Sequence, residues 1–341
     1  MDADEKFKVI TRNLQEVVGE DELRSLLKER ELKLYWGTAP TGGPHLGYFV
    51  PMYKIADFLR AGAHVKILLA DLHAYLDNMK STWELLERRT EYYEFIIKEI
   101  LKRIGVPLEK LEFVKGTDYQ LSEGYTLDMY KMSALVTTRD TQKAGAEVVK
   151  QIESPKMSNL LYPILQALDE EHLGVDAQFG GVDQRKIFML AREFLPKVGY
   201  NKRIHLLNPM VPGLGDGGKM SSSDPNSKIE FSDGDKQIRK KISKAYSADG
   251  VIEDNGLLAM MKYVIFRRLE DEGRDFVVER PEKYGGKVSF ADYSSLEDAF
   301  RKKELSSIDL KQALSEELIT LLTPLRNALA DNVDLVKAAY P

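Results

Sequence analysis

The sequence predicts an α/β protein: a doubly wound parallel sheet with helices on its faces, followed by a smaller, mainly α-helical part. Three observations predict it. Short apolar runs alternate with helix-period segments over roughly the first two hundred residues, the pattern of parallel strands joined by crossover helices. A glycine-rich turn, TAPTGGPHLGY, directly follows the first of those strands and opens a helix. After Asp224 the alternation stops and helix-period patterning takes over.

In chain order, residues 6–30 place Val9, Ile10, Leu14, Val17, Val18, Leu23, Leu26 and Leu27 at helical spacing, so one or two amphipathic helices are expected. LKLYWG (32–37) reads as a short strand entering the glycine-rich turn, and 48–61 as the helix leaving it. HVKILLAD (64–71) is a buried strand; 82–104 is a long helix ended by Gly105 and Pro107; LEFVKG (111–116) is another strand. GVDAQFGG (174–181) and RIHLLN (203–208) are two more strands, with a helix over 184–194 between them. Residues 117–158 interrupt the alternation with mostly helical patterning and read as an insertion able to serve as a partner surface. The turn-rich stretch 225–235 marks a boundary, so the expected units are 1–228 and 229–341. Beyond it helices are expected at 236–246, 256–269, 295–303 and 308–329, and DFVVE and KVSF form a β-like pair around the turn at 281–286.

Composition narrows the class. Among 341 residues, 43% apolar and 30% charged are ordinary for a globular protein. No apolar run reaches the ~18 residues that a bilayer span needs. The start, MDADEKFKVI, lacks the basic and apolar regions of a signal peptide. The absence of cysteine excludes disulfides, thiol catalysis and Cys-ligated zinc, and fits a reducing compartment. A cytoplasmic protein without membrane contact is expected. A net charge of −5 gives no overall attraction to nucleic acid, so any such contact rests on local basic residues. The run KQIRKKISK (236–244) is one, and taken alone it reads as a solvated helix face. His64, His172 and His205 have no partner visible in the sequence, so no histidine metal site is expected.

Two stretches suit phosphate. In TAPTGGPHLGY (38–48) glycines allow close backbone approach at a strand-to-helix turn, and His45 offers a donor. In GLGDGGKMSSSD (213–224) glycines free the backbone, Lys219 supplies the loop's only cation, and serines supply hydroxyls. Neither is the GxGxxG or the GxxxxGK[ST] pattern. Separately, one reads as a capped turn and the other as a linker.

Together they read differently. PHLGY resembles the HIGH motif, and KMSSS the KMSKS loop, of class I aminoacyl-tRNA synthetases, in the right order along the chain. The likeness extends to the tyrosyl-tRNA synthetases of the eukaryotic and archaeal type. It covers nearly the whole chain through ITRNLQEV, KERELKLYWGTAPTGGPHLGYFVPM, ADLHAYLDNMK, GTDYQL, KAGAEVVKQ, DAQFGGVDQRKIF and NPMVPGLG. Two positions depart from the general motifs: Tyr48 stands where HIGH has its second histidine, and Ser222 where KMSKS has its second lysine. The eukaryotic type shares both changes.

The resemblance implies a Rossmann-like catalytic domain (1–228) whose helical insertion (117–158) forms a homodimer interface, and an anticodon-binding domain (229–341). It implies a tyrosine–tRNA ligase that uses ATP, with Mg²⁺ held mainly by the phosphates, no organic cofactor and no zinc. By resemblance, Tyr35 and Asp169 bind the phenolic hydroxyl of tyrosine, and Tyr162, Gln166 and Gln184 hold its α-amino group. ATP falls to Thr41, Gly42, Gly47, Gly180, Gly181, Asp183 and Met220, and catalysis to His45, Lys219, Ser221 and Ser222. Arg139 and Arg185 lie near the first acceptor base pair of tRNA(Tyr), and Tyr284 and Asp309 meet the first anticodon base.

These assignments make physical sense one by one. Tyr162, Gln166 and Asp169 stand at i, i+4 and i+7, on one face of a helix expected to start near Tyr162 with Pro163 in its first turn. A hydroxyl that donates and accepts wants one partner of each kind, and phenylalanine leaves both unpaired. Gly180 and Gly181 let adenosine lie against backbone, while Asp183 suits a ribose hydroxyl or a helix N-cap. Asp71 and His73, at a strand's C-terminal end, are expected to line the pocket. Tyr284 can stack on a base, and Asp309 either accepts from a base edge or completes the capping spacing Ser306-x-x-Asp309. Two other readings stay open: a tryptophanyl-tRNA synthetase, against which the hydroxyl-binding pair speaks, and a catalytically silent RNA-binding or signalling relative of the same fold.

Overall fold

The computed structural model describes residues 1–77, 81–148, 155–215 and 228–341. Helix α1 (Ala3–Thr11) starts at an Asp2–Glu5 capping box, in which each side chain accepts the other's backbone N–H. A three-residue strand, β1 (Glu16–Val18), follows, then α2 (Glu20–Glu29). The sequence expectation of helix alone across 6–30 is corrected here. Strands β2 (Lys33–Thr38) and β3 (His64–Leu69) are joined through α3 (Phe49–Arg60). A short α4 (Asp71–Leu76) and the long α5 (Trp83–Ile104) lead to β4 (Leu111–Lys115). Gly105 caps α5 at φ 75°, a left-handed conformation that favours glycine.

The insertion contains α6 (Thr117–Gln120), α7 (Glu123–Ser133) and α8 (Thr138–Gly145), and then α9 (Met157–His172) returns to the sheet. Helix α9 begins five residues before Tyr162, so Pro163 lies inside the helix and not in its first turn. Its start is set by Asn159, whose side-chain oxygen accepts the N–H of Lys156. β5 (Ala177–Gly181), α10 (Arg185–Phe194) and β6 (Ile204–Asn208) complete this part.

The six-stranded sheet has the order β1-β6-β5-β2-β3-β4. All neighbours are parallel except the edge strand β1, which pairs antiparallel with β6. From β2 the chain builds outward through β3 and β4, then crosses back to place β5 on the other side of β2. The order therefore reverses between β2 and β5, and in such sheets a crevice opens beyond the strand C-termini at that point. The glycines after β2 and at the end of β5 both face it.

After residue 228 come α11 (Asp235–Lys244) and one helical run from α12 (Gly256–Met260) through a π-helical stretch (Met261–Ile265) to α13 (Phe266–Glu272). The expected β pair is present as β7 (Phe276–Val278) and β8 (Val288–Phe290), antiparallel around the 3₁₀ turn Glu282–Tyr284. Helices α14 (Tyr293–Arg301), α15 (Ser307–Asp331) and α16 (Val333–Ala339) follow. One cluster of buried side chains runs from the sheet (Leu34, Ile67, Phe179, Leu206) into the C-terminal helices (Ile238, Leu258, Leu318) and β7 (Phe276).

Candidate active site

Two cavities open at the switch point. The first, about 320 Å³, lies against β2 and α9; its lining includes Tyr35, His73, Tyr162, Gln166, Asp169 and Gln184. All five residues expected for tyrosine are thus brought together. Tyr35 is buried, and its hydroxyl donates to the Gln166 carbonyl at 3.2 Å. Gln166 Nε2 donates to Gln184 Oε1 at 2.8 Å, which ties α9 to the turn after β5. Asp169 is fully buried. Its Oδ1 accepts from Tyr119 (2.7 Å), Gln120 Nε2 (2.8 Å) and the Tyr125 hydroxyl (2.9 Å). Its Oδ2 has no hydrogen-bond partner among the described residues. A buried carboxylate oxygen left unpaired is costly unless something completes it.

Burial raises the Tyr162 phenol's pKa, and Asp77, Asp169 and Asp183 push it the same way. Three carboxylates thus act on one side of the cavity, a field that favours an ammonium group. Tyr119, Gln120 and Tyr125 are the residues that sequence reasoning missed. The first two stand in GTDYQL, but nothing in their spacing says that they converge on a carboxylate some fifty residues away (|i−j| 50 and 49). Asp71 does not line the cavity. Its carboxylate accepts from the backbone and hydroxyl of Thr117 and so pins the start of α6. His73 does line it.

The second cavity, about 680 Å³, is lined by His45, Gly47, Tyr48, Gly180, Gly181, Asn208 and Met210 among others. At Gly180 a Cβ would sit 2.7 Å from the Phe188 ring and 2.8 Å from Gln184 Oε1, so a larger residue would push against both side chains, and Gln184 is one of the first cavity's lining residues. At Gly181 a Cβ would meet Asp183 Oδ1 at 2.4 Å, so the Asp183 carboxylate lies against that glycine, though it does not line the cavity. Asp183 lies within the 3₁₀ turn Val182–Gln184 and is not an N-cap. Thr41 and Gly42 do not line this cavity. Their carbonyls are held from behind by Arg89 (2.7 Å to Thr41) and by the Tyr93 hydroxyl (to Gly42), both on α5.

His45 caps the 3₁₀ turn Leu46–Tyr48: its Nδ1 accepts the Gly47 N–H at 3.2 Å. Burial lowers its pKa to about 4, aided by Lys228 and opposed by Glu230. The ring is therefore neutral near pH 7, and with Nδ1 accepting, its proton sits on Nε2. Tyr48 spends its hydroxyl inside the protein, on Thr38 Oγ1 (3.1 Å) and Tyr93 (3.4 Å). Lys219, Met220, Ser221 and Ser222 lie outside the described residues.

The residues expected to meet tRNA are dispersed. Arg139 is exposed on α8. Arg185 is bonded through two nitrogens to Glu16 (2.7 and 2.8 Å). Tyr284 is 62% exposed, with Lys283 Nζ 4.7 Å from its ring centre. Asp309 takes part in the cap: Ser306 Oγ accepts its N–H at 3.1 Å and donates to its carboxylate at 2.8 Å. Arg280 joins the two regions, bonding the carbonyls of Gly286 and Glu304.

The three other histidines do have partners. His64 is paired with Glu31 (2.8 Å), His172 with Asp128 (3.0 Å) and His205 with Glu170 (2.7 Å). Among the described residues no cluster of three or more His, Asp or Glu could hold a metal ion. Among the described residues no helix is long and apolar enough to cross a membrane.

With this geometry in hand, the family profile described as tRNA synthetases class I (W and Y) matches residues 27–323. The chain belongs to this family. A class I synthetase relative named "Tyrosine--tRNA ligase, cytoplasmic" from Gallus gallus is 58% identical over 339 residues, covering 99% of this chain and 63% of that protein. One of the same name from Saccharomyces cerevisiae is 51% identical over 350 residues, covering 100% of this chain and 89% of its own length. The chain thus spans a little under two thirds of the length of the vertebrate relatives it matches. Among solved class I structures, the tyrosyl-tRNA synthetase from Archaeoglobus fulgidus, described as complexed with L-tyrosine, superposes with a TM-score of 0.87 at 39% identity. That match covers 99% of this chain and 100% of the other. The Rossmann-like doubly wound class read from the sequence agrees with this neighbour.

Proposed function

We propose that the protein is a cytoplasmic tyrosine–tRNA ligase. The tyrosine carboxylate attacks the α-phosphate of ATP, giving tyrosyl-adenylate and pyrophosphate; a terminal ribose hydroxyl of tRNA(Tyr) then takes the tyrosyl group. The observation that carries this reading is the bare Oδ2 of buried Asp169 in a cavity beside a glycine-floored one. A phenolic hydroxyl completes that oxygen, and the carboxylates around Tyr162 suit an α-ammonium held with Gln166 and Gln184. An indole N–H can donate to Asp169 but can accept from nothing, so tyrosine fits better than tryptophan.

No protein nucleophile is needed: catalysis is positioning plus stabilisation of phosphate charge. His45 serves through its Nε2–H. Gly47, Gly180 and Gly181 give backbone approach, with Thr41 and Gly42 shaping the loop before His45. Asp183 meets the ribose. Lys219, with Met220, Ser221 and Ser222, supplies the charge and donors of the second loop, and Mg²⁺ rides on the phosphates. Residues 1–228 form the catalytic domain and 229–341 the anticodon-binding domain, with Arg139, Arg185, Tyr284 and Asp309 toward tRNA(Tyr). Two copies pair through the insertion.

Amino-acid-dependent exchange of pyrophosphate into ATP tests the reading with tyrosine, tryptophan and phenylalanine. Exchange with tyrosine alone is expected. Exchange with tryptophan in preference moves the protein to the sister specificity, and exchange with none removes the enzyme reading.

A further inference from the structure

The cavity holds a second unpaired atom. His73 is fully buried on α4, and its Nε2 has no hydrogen-bond partner among the described residues. That nitrogen stands 3.8 Å from Asp169, whose nearer oxygen is the equally unpartnered Oδ2. The separation is too long for a direct hydrogen bond. Two buried polar atoms facing each other across such a gap both lack what one small polar group could supply.

The donor and acceptor count says which group. Gln120 Nε2 gives one hydrogen to Asp169 Oδ1 at 2.8 Å and directs the other toward His73 Nδ1 at 3.4 Å. With Nδ1 accepting, the neutral ring carries its proton on Nε2. Burial lowers the proton affinity of the ring, which keeps it neutral. The Tyr35 proton is already donated to the Gln166 carbonyl. Tyr35 and Asp169 therefore both present acceptors, and a ligand hydroxyl placed between them has no donor to receive from. His73 Nε2–H is the donor that is missing.

We propose that His73 is a specificity-determining residue that donates from Nε2 to the substrate's phenolic oxygen while that hydroxyl donates to Asp169 Oδ2. One oxygen at about 2.8 Å from each atom closes the gap and pairs both in a single binding event. Phenylalanine leaves both unpaired, so His73 shares in rejecting it. Gln120 is a positioning residue that sets the tautomer. This inference rests on the tyrosine reading above.

Pyrophosphate exchange measured as kcat/KM for tyrosine and for phenylalanine, in wild type, His73→Phe and His73→Gln, tests it. His73→Phe keeps a planar ring and removes the donor. It is expected to lower kcat/KM for tyrosine roughly tenfold or more, mainly through KM, and to leave the value for phenylalanine within about twofold. His73→Gln carries an amide N–H near the Nε2 position and is expected to recover much of the selectivity. An unchanged tyrosine-to-phenylalanine ratio in His73→Phe overturns the proposal. In the wild-type protein, ¹⁵N NMR of the imidazole is expected to show the Nε2–H resonance moving with tyrosine and not with phenylalanine. The same response to both ligands also overturns it, whether or not His73→Phe folds. If wild type activates no tyrosine at all, the ligase reading itself fails, which is a separate outcome.

Discussion

At the scale of single residues, the site keeps its polar groups in defined protonation states by burying them. His45 is the clearest case. Its pKa falls from 6.5 to about 4 because the ring is buried, with Lys228 adding to the effect. The unfolded chain binds more protons than the native protein between those values, so stability is complete above pH 6.5 and declines as pH falls toward 4. From pH 7 to pH 5 the loss from this one group is about 2 kcal/mol. Urea denaturation at the two pH values checks it against His45→Asn, whose side-chain oxygen can still accept the Gly47 N–H. The wild type is expected to lose about 2 kcal/mol more than the variant on acidification. Equal losses mean that His45 titrates normally.

At the scale of elements, helix α15 shows one short sequence signal that supports two readings. Ser306 and Asp309 form the expected cap, and Asp309 is only half buried, so its carboxylate remains open to a further partner. Ser306→Ala removes the oxygen that accepts the Asp309 N–H and is expected to cost about 1 kcal/mol of stability with little effect on tRNA selection. Asp309→Ala leaves that bond in place. It is expected to weaken charging of tRNA(Tyr) at least tenfold while pyrophosphate exchange stays intact. Equal loss in both reactions makes Asp309 a structural cap and nothing more. The five parallel strands were legible because short apolar runs recur between helix-period segments, and the long helix α5 because its period is sustained over many residues. β1 was not, because three residues, Glu16–Val18, give no period; the strand exists through pairing with β6, almost two hundred residues away. α9 was placed too late because Pro163 suggests a helix start, whereas the cap at Lys156 and Asn159 carries no strong signature. That Tyr35, Tyr162, Gln166, Asp169 and Gln184 meet in one cavity was legible through the resemblance. The donors around Asp169 and the gap facing His73 were not, because they come from α4, α6 and α7, which only the folded chain brings together.

Across the whole molecule, two devices connect distant parts to the site. Asp57 on α3 is buried and accepts from Arg12 just beyond α1, Lys54 of its own helix and Arg267 of α13, so the C-terminal helices are tied to the helix that follows the His45 loop. The second device is α7. Its inward face places Tyr125 on Asp169 and sets Asp128 against His172 and Tyr200. Its outward face leaves Leu127 and Tyr130 exposed, and Leu121, Leu135 and Met157 within the same insertion are exposed too. Scattered exposed apolar side chains are ordinary, but large ones concentrated in one insertion mark an association surface. We expect this face to pair two copies, and therefore assembly to support the amino-acid site through Tyr125. The double variant Leu127→Glu, Tyr130→Glu changes only exposed positions, so it is expected to fold. In sedimentation the wild type should run as twice the 38.7 kDa chain and the variant as a single chain. The monomer should show a KM for tyrosine raised about tenfold, from loosened support of Asp169, with the KM for ATP changing less. A wild-type monomer ends the pairing proposal. A variant monomer with unchanged tyrosine KM keeps the pairing and shows that α7 holds Asp169 in place without help from a second copy.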